Sequence, residues 1–182
     1  WVKEFPFKLE DKLKSRGAVF SQTDFMLSNV SVSGKFVTGQ NPFSTTKSAE
    51  EVVKALGIEP ATRTLYKDER SVYFIQDLLN DKKTIVWAEQ ELEKHSESYD
   101  MPLIAVWGYY KILASNENQK ELMKGVTLVE LTSPYFFNEN LQFTLAKTYS
   151  SLGKKTEAES ILQDLIAKNL LKEKATELLN EL

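Results

Sequence analysis

The chain has 182 residues, 42% of them hydrophobic, with a formal net charge of −3 and no cysteine. That length suits one ordinary domain or two small ones with packed cores, and Lys and Glu interspersed at a weakly acidic balance argue against DNA or RNA as partners. Without cysteine there is no disulfide, thiolate metal site or thiol nucleophile within this sequence, which fits a reducing, cytoplasmic location.

No apolar run nears the roughly 18 residues that a membrane span needs. No stretch combines a basic start, an apolar run and a small-residue cleavage site, so no signal peptide is expected. The chain opens on Trp1 rather than Met, and is therefore expected to be a cut or excerpted piece of something longer.

Turn-punctuated, extended segments fill the first sixty residues. "FPFKLEDKLKSRGA" predicts a short helix, with Leu9 and Leu13 at i, i+4 and Gly17 at its end. "AVFSQ", residues 18–22, predicts a short strand. "FMLSNVSVSGKFVTG" predicts two strands about a two-residue turn at Ser33-Gly34, the alternation of Val30, Val32 and Phe36 supporting them. After Pro42, Ser44 and Ser48 are candidate caps, and Ser48 with Glu51 fits a capping box. Ala49, Val52, Val53 and Leu56 then form an apolar stripe at i, i+3, i+4 and i+7, and Gly57 stops the helix. The domain boundary falls in "GIEPATRTLYKDE", near residue 60.

In order along the chain, Pro6-Phe7, Leu9-Glu10-Asp11, Gly17-Ala18 and above all Thr38-Gly39-Gln40-Asn41-Pro42 opening a helix carry a likeness. Residues 1–58 resemble the C-terminal part of the ThiJ/PfpI family, within the class I glutamine amidotransferase-like superfamily. The resemblance implies a flavodoxin-like domain, a largely parallel sheet with helices on both faces. It also implies a Cys nucleophile on a strained strand-to-helix elbow, aided by a His and an acidic residue. Members are described as proteases, amidases, deglycases, glyoxalases or holding chaperones.

In that family the elbow, its Cys and the His precede the part matched here, so they would lie upstream of Trp1. The segment is accordingly an incomplete flavodoxin-like α/β piece. Gly39, Gln40, Asn41 and Pro42 match the loop that follows a strand near the active-site end of the family's sheet. The other reading of that loop is a structural turn, with Gly39 for backbone freedom, Asn41 extended before Pro42 and Ser44 as cap. Phe43 departs from the small residue the family often has there.

From about Asp68 the periodicity is helical almost throughout, with polar breaks at "NDKK", "SNEN" and "SLGKKT". Val72, Ile75 and Leu79 form one stripe, Ile85, Ala88 and Leu92 a second, and Leu103, Val106, Tyr110 and Leu113 a third. In residues 145–166, Leu145, Ala146, Tyr149, Leu152, Gly153, Ala158, Leu162 and Leu165 fall where a tetratricopeptide repeat would have them. Small Ala146 and Ala158 would let two antiparallel helices approach, Tyr149 would fill between them and Gly153 would permit the turn.

The preceding pair, "LIAVWGYYKIL" and "ELMKGVTLVELTSP", resembles a degenerate repeat, with Gly108 the small contact, Tyr110 the filler and Pro134 the break. Helices near 70–80 and 83–95 make a third pair, and residues 171–182 a cap. The expected class is thus α+β, mostly α: residues 1–60 an α/β portion, residues 61–182 an antiparallel helical-repeat, tetratricopeptide-like domain. By repeat position Asn140, Phe143, Lys147 and Ser150 would face a groove for a peptide or protein ligand. The plain alternative is a solvated helix face with one aromatic packed on the next repeat.

No set of residues assembles a catalyst. The lone His95, in "LEKHSESY", sits at a predicted helix end where it would complement carbonyls, and no G-x-S-x-G elbow accompanies it. Glu50, Glu51, Glu89, Glu91 and Glu93 read as solvated helix charges, and no cluster has metal spacing, so no cofactor or metal is expected. Trp87, Trp107 and Tyr109-Tyr110 read as packing. Two functions follow. Either the chain completes a Cys-dependent ThiJ/PfpI-like protein acting on small carbonyl or amide substrates, its partner the N-terminal α/β part or a second copy, or it is a non-catalytic module that binds peptides.

Overall fold

The computed structural model describes residues 6–115 and 118–182, and the chain divides into two compact units, Trp1–Thr64 and Leu65–Leu182. Among the described residues helix dominates and the single sheet has two antiparallel strands, which makes the chain α+β, mostly α. The expected break "SNEN" lies partly outside the described residues.

In the first unit, helix α1 (Leu9–Lys14) leaves both Leu9 and Leu13 exposed. Residues 18–22, expected as a strand, form none. Side chains rather than a neighbouring backbone fasten this part of the chain. Asn29 Nδ2 donates to the Ser21 carbonyl at 3.1 Å, and the Gln40 amide accepts from the Thr23 N–H at 2.9 Å while donating to the Thr23 carbonyl at 3.1 Å. Val19 is 98% exposed.

Strands β1 (Val30–Ser33) and β2 (Phe36–Gly39) pair with Val32 opposite Val37 and Ser33 opposite Phe36. The turn residues are therefore Gly34 and Lys35, one position later than the sequence suggests. Gly34 has φ +57°, the sign a type II′ hairpin needs at its first central residue. A single 3₁₀ turn, Pro42–Ser44, leads into α2 (Thr45–Ala55).

The caps expected on α2 are not used. Ser44 makes no side-chain cap, and Ser48 lies inside the helix with its hydroxyl bonded back to the Ser44 carbonyl at 2.8 Å. Asn41 does the capping one turn earlier, accepting from Phe43 N–H at 3.0 Å, because the 3₁₀ turn extends the helical run backward to Pro42. The apolar stripe of α2 is largely uncovered: Val52 is exposed and Leu56 is 71% exposed, while Phe36 on β2 is 76% exposed. Of the unit's described residues only Leu27 and Ser44 are buried.

The second unit is a succession of helices: α3 (Lys67–Leu79), α4 (Ile85–His95), α5 (Met101–Leu113), α6 (Gln119–Thr132), α7 (Glu139–Ser151), α8 (Lys155–Ala167) and α9 (Lys172–Glu181). Short polar caps start several of them: Thr84 accepts from Trp87 N–H, Asp100 from Leu103 N–H, Asn118 from Lys120 and Glu121 N–H, and Asn138 from Asn140 and Leu141 N–H. After α7, Gly153 at φ +73° closes the helix, with Lys154 N–H bonded to the Tyr149 carbonyl at 2.9 Å.

Between α5 and α6 the backbones touch. A Cβ on Gly108 would stand 2.9 Å from the Gly125 carbonyl oxygen, and one on Gly125 2.7 Å from the Gly108 carbonyl oxygen. One core joins Ile112, Val126, Val129, Leu145, Tyr149 and Ala158, from α5 to α8, and another joins Ala146, Leu162, Leu165 and Ala175, from α7 to α9. Phe74 packs between Trp87 and Tyr99 at centroid distances of 5.5 and 5.3 Å.

Helix α5 corrects the sequence reading. The stripe Leu103, Val106, Tyr110, Leu113 is largely the outer face; the buried face is Met101, Ile104, Ala105, Trp107, Gly108 and Ile112. Tyr110, expected as a filler, is 52% exposed and lies edge-on to Tyr109. An apolar helix offers no polar side by which period can select the core face, so the glycine contact decides it. Among the described residues no helix is long and apolar enough to cross a membrane.

Candidate functional site

In the first unit, the residues matched to the family's ligand loop are engaged in building the local structure. Gly39 is small because α2 sits on it: a Cβ there would meet Ser48 Oγ at 2.7 Å and Ser44 Cβ at 2.9 Å. Close approach, not backbone freedom, is what the glycine supplies. Gln40 clamps Thr23 through both ends of its amide, and Asn41 Nδ2 donates to the Leu27 carbonyl at 2.6 Å. Pro42 opens the 3₁₀ turn. The buried Ser44 hydroxyl accepts from Asn29 N–H at 3.1 Å, tying the loop to the segment before β1. What this loop accomplishes is the fastening of residues 21–29 onto a strand, a turn and a helix.

Along α7 the four residues expected to face a groove, Asn140, Phe143, Lys147 and Ser150, occupy one helix face. Asn140 and Lys147 are exposed, whereas Phe143 and Ser150 are half-buried. Phe143 leans on the Ala146, Leu162, Leu165, Ala175 cluster, so part of its area is already spent on packing against α8 and α9. The amide of Asn140 and the amine of Lys147 are accessible polar groups on this face.

Two tyrosine–glutamate pairs were not read from the sequence. The Tyr99 hydroxyl donates to Glu91 at 2.8 Å while Arg70 stands 5.9 Å from its ring centre. Burial, then the bond to Glu91, pushes the Tyr99 phenol well above its ordinary range. The Tyr149 hydroxyl donates to Glu130, whose carboxyl is raised above its ordinary 4.5 by desolvation; Lys154 opposes the shift and Glu157 adds to it. Glu130, Ser133, Gln142, Tyr149, Glu157 and Ser160 line a cavity of about 460 Å³.

Each pair is a phenol donating to a carboxylate. His95 is the exposed final residue of α4. Glu51 lies between Lys47 at 2.9 Å and Lys54 at 3.2 Å, whose hydrogen bonds lower its carboxyl, as they would on any solvated helix face. Among the described residues no group of His, Asp and Glu could hold a metal ion.

Two surface depressions run between α4 and α6 and were also not foreseen. The signal was present in the charge order. Lys83 precedes α4 and Glu89 and Glu93 follow within it, while α6 carries Lys120 and Lys124 early and Glu130 late. These lysines and glutamates run against the helix dipole, whereas Lys94 and His95 at the end of α4 and Glu121 in the first turn of α6 run with it. No family model, curated protein or solved structure matches the chain.

Proposed function

We propose that residues 1–60 act as the closing part of a ThiJ/PfpI-like, flavodoxin-like α/β domain, and that the helical unit is a tetratricopeptide-like interaction module carried behind it. The chain alone performs no catalysis; amidase, deglycase or glyoxalase chemistry would belong to the completed protein. One observation carries this reading. The apolar stripe of α2 and the outer residue Phe36 of β2 are exposed, in a unit that buries only Leu27 and Ser44 among its described residues. An amphipathic helix beside a two-stranded hairpin does not stabilise itself in water. Its uncovered side is what a larger sheet with helices on both faces would cover.

A second reading rests on the helical unit. Helices of 10 to 14 residues follow one another, and α5 touches both α3 and α7 while α4 touches α6. That is the neighbour pattern of stacked helical pairs with α9 as cap, and it supports a peptide-binding module whose α7 face presents Asn140 and Lys147. Fold alone does not assign the ligand.

The deciding measurement is the intact mass of the protein from its native source, with every tightly bound polypeptide identified. A longer polypeptide, or a bound fragment bearing a Cys and a His, is expected. A lone 182-residue species that stays monomeric and leaves a hydrophobic dye dark would overturn the first reading and leave the second.

A further inference from the structure

Helices α4 and α6 enclose a groove in two parts. One part, about 410 Å³, is lined by Leu79, Lys83, Ile85, Lys120, Met123 and Lys124 among others; the second, about 610 Å³, by Ile85, Glu89, Leu92, Glu93, Glu130 and Leu131 among others. Ile85 and Thr127 line both, so the parts are continuous. From Lys120 to Thr132 the α6 wall spans about 18 Å at 1.5 Å per residue, the length of a helical segment of some three turns.

The floor is apolar and the ends are of opposite charge. Leu79, Leu92, Leu128 and Leu131 are buried beneath it, while Ile85 at the middle is 51% exposed. Lys83, Lys120 and Lys124 ring the end where α4 and α6 begin; Asp81 and Glu121 offset part of that charge. Glu89, Glu93 and Glu130 ring the end toward which both helices run, with Glu157 near enough to Glu130 to raise its carboxyl. Because α4 and α6 start at the same end of the groove, their dipoles add to the polarity of its lining, while Lys94 and His95 in the last turn of α4 lie outside that lining.

We propose that this groove docks an amphipathic helical segment of a partner protein, with an apolar spine and ends of opposite charge. Its basic end lies against Glu89, Glu93 and Glu130, and its acidic end against Lys83 and Lys120. The site is separate from the α7 face and stands whether or not that face binds anything. The spine occupies the Ile85–Thr127 centre, in the helix-in-groove mode where anchors at i, i+3 or i+4 and i+7 supply the contact. End charges fix direction and register more than affinity.

The test uses the full chain against a displayed library of random 16-residue peptides, with enriched peptides synthesised and measured by fluorescence anisotropy. Enriched sequences are expected to share an apolar helical spine with basic residues at one end and acidic at the other. Ile85→Asp and Lys120→Glu, both at exposed positions that leave the core intact, should each weaken binding tenfold or more, and binding should weaken in high salt. Lys147→Glu on α7 should change nothing. The proposal fails if no peptide is enriched, if enriched peptides lack charge polarity, or if they respond to Lys147→Glu and not to Ile85→Asp. Concentration-dependent dimerisation abolished by Ile85→Asp would overturn it in favour of a second copy as occupant.

Discussion

The two units of this chain use small residues for the same purpose and end with opposite surfaces. In the helical unit Gly108 and Gly125 bring α5 and α6 into backbone contact, and the helices around them bury Ile104, Val126, Val129, Leu145, Leu162 and Leu165. In the first unit Gly39, Ser44 and Ser48 bring α2 against the hairpin as closely, yet the side of α2 that carries Val52 and Leu56 stays exposed. Close packing by small residues orients elements; it does not by itself make a core. The core comes from apolar area removed from water, at about 25 cal/mol per Å², and only the helical unit removes much of it.

The comparison breaks most forcefully at the glycine pair. Gly125→Val would place side-chain atoms where the Gly108 carbonyl and Ile112 backbone nitrogen stand, 2.7 and 2.8 Å from even a Cβ. Neither is a flexible chain end that can yield. The expected cost is about 3 kcal/mol or more, read as a lower urea midpoint of the helical unit by circular dichroism. A midpoint unchanged from wild type would mean that α5 and α6 do not pack through this contact.

Next comes one substitution made in both units. Leu162→Ala, at a fully buried site, should cost about 3 kcal/mol, within the range for buried leucines. Leu56→Ala, at the exposed C-cap of α2, should cost less than about 0.5 kcal/mol. Hydrogen exchange resolved by peptide would report each unit separately. Equal losses at the two sites would show that something covers the α2 stripe in solution, and that would locate the cover.

A smaller effect lies in the loop. Asn41→Ala removes the cap on Phe43 N–H and the 2.6 Å bond to the Leu27 carbonyl together. A loss of about 1–2 kcal/mol is expected, seen as faster exchange in residues 21–29. Asn41→Asp should restore the cap but not the donation to Leu27, giving an intermediate loss. If Ala and Asp behave alike, the bond to Leu27 is the one that matters.

How far the sequence could be read follows from these contacts. The existence of the hairpin, of α2 and of the helices from α3 to α9 was legible from period and breaks, though the hairpin turn lies one residue later than read and the caps expected on α2 are not used. The burial of Leu145, Ala146, Tyr149, Ala158, Leu162 and Leu165 was legible too, because polar residues on the other faces of α7 and α8 leave one choice of core side. Helix α5 has no such contrast, and its buried face was misread. The strand at 18–22 was misread because a local pattern cannot show whether a neighbour exists to pair with it. The ties made by Gln40, Asn41 and Ser44 cross ten to twenty positions, and the α4–α6 groove forms only when two helices some forty residues apart lie side by side. Charge order along each helix hinted at the groove, but charge order does not name its neighbour.

The smallest expected effect sharpens the comparison within the helical unit, because it tests a polar group there rather than an apolar one. Glu130 has its carboxyl raised above 4.5, first by desolvation, with Glu157 adding and Lys154 subtracting. A carboxyl raised in the fold binds its proton more tightly there than in the unfolded chain. Its contribution is therefore most favourable below the unfolded value and is lost as pH rises through the folded one. Against Glu130→Gln, which keeps an oxygen to accept from Tyr149 but does not titrate, wild-type stability should fall as pH climbs from about 4 and then level off. Thermal midpoints across that range measure it, and Lys154→Gln should steepen the fall by removing the cation that opposes it. Wild type gaining on Glu130→Gln as pH rises would reverse the assignment: the carboxylate would then be held by Lys154 more strongly than the groove disfavours it, and the acidic end of the α4–α6 groove would be weaker than its three glutamates suggest.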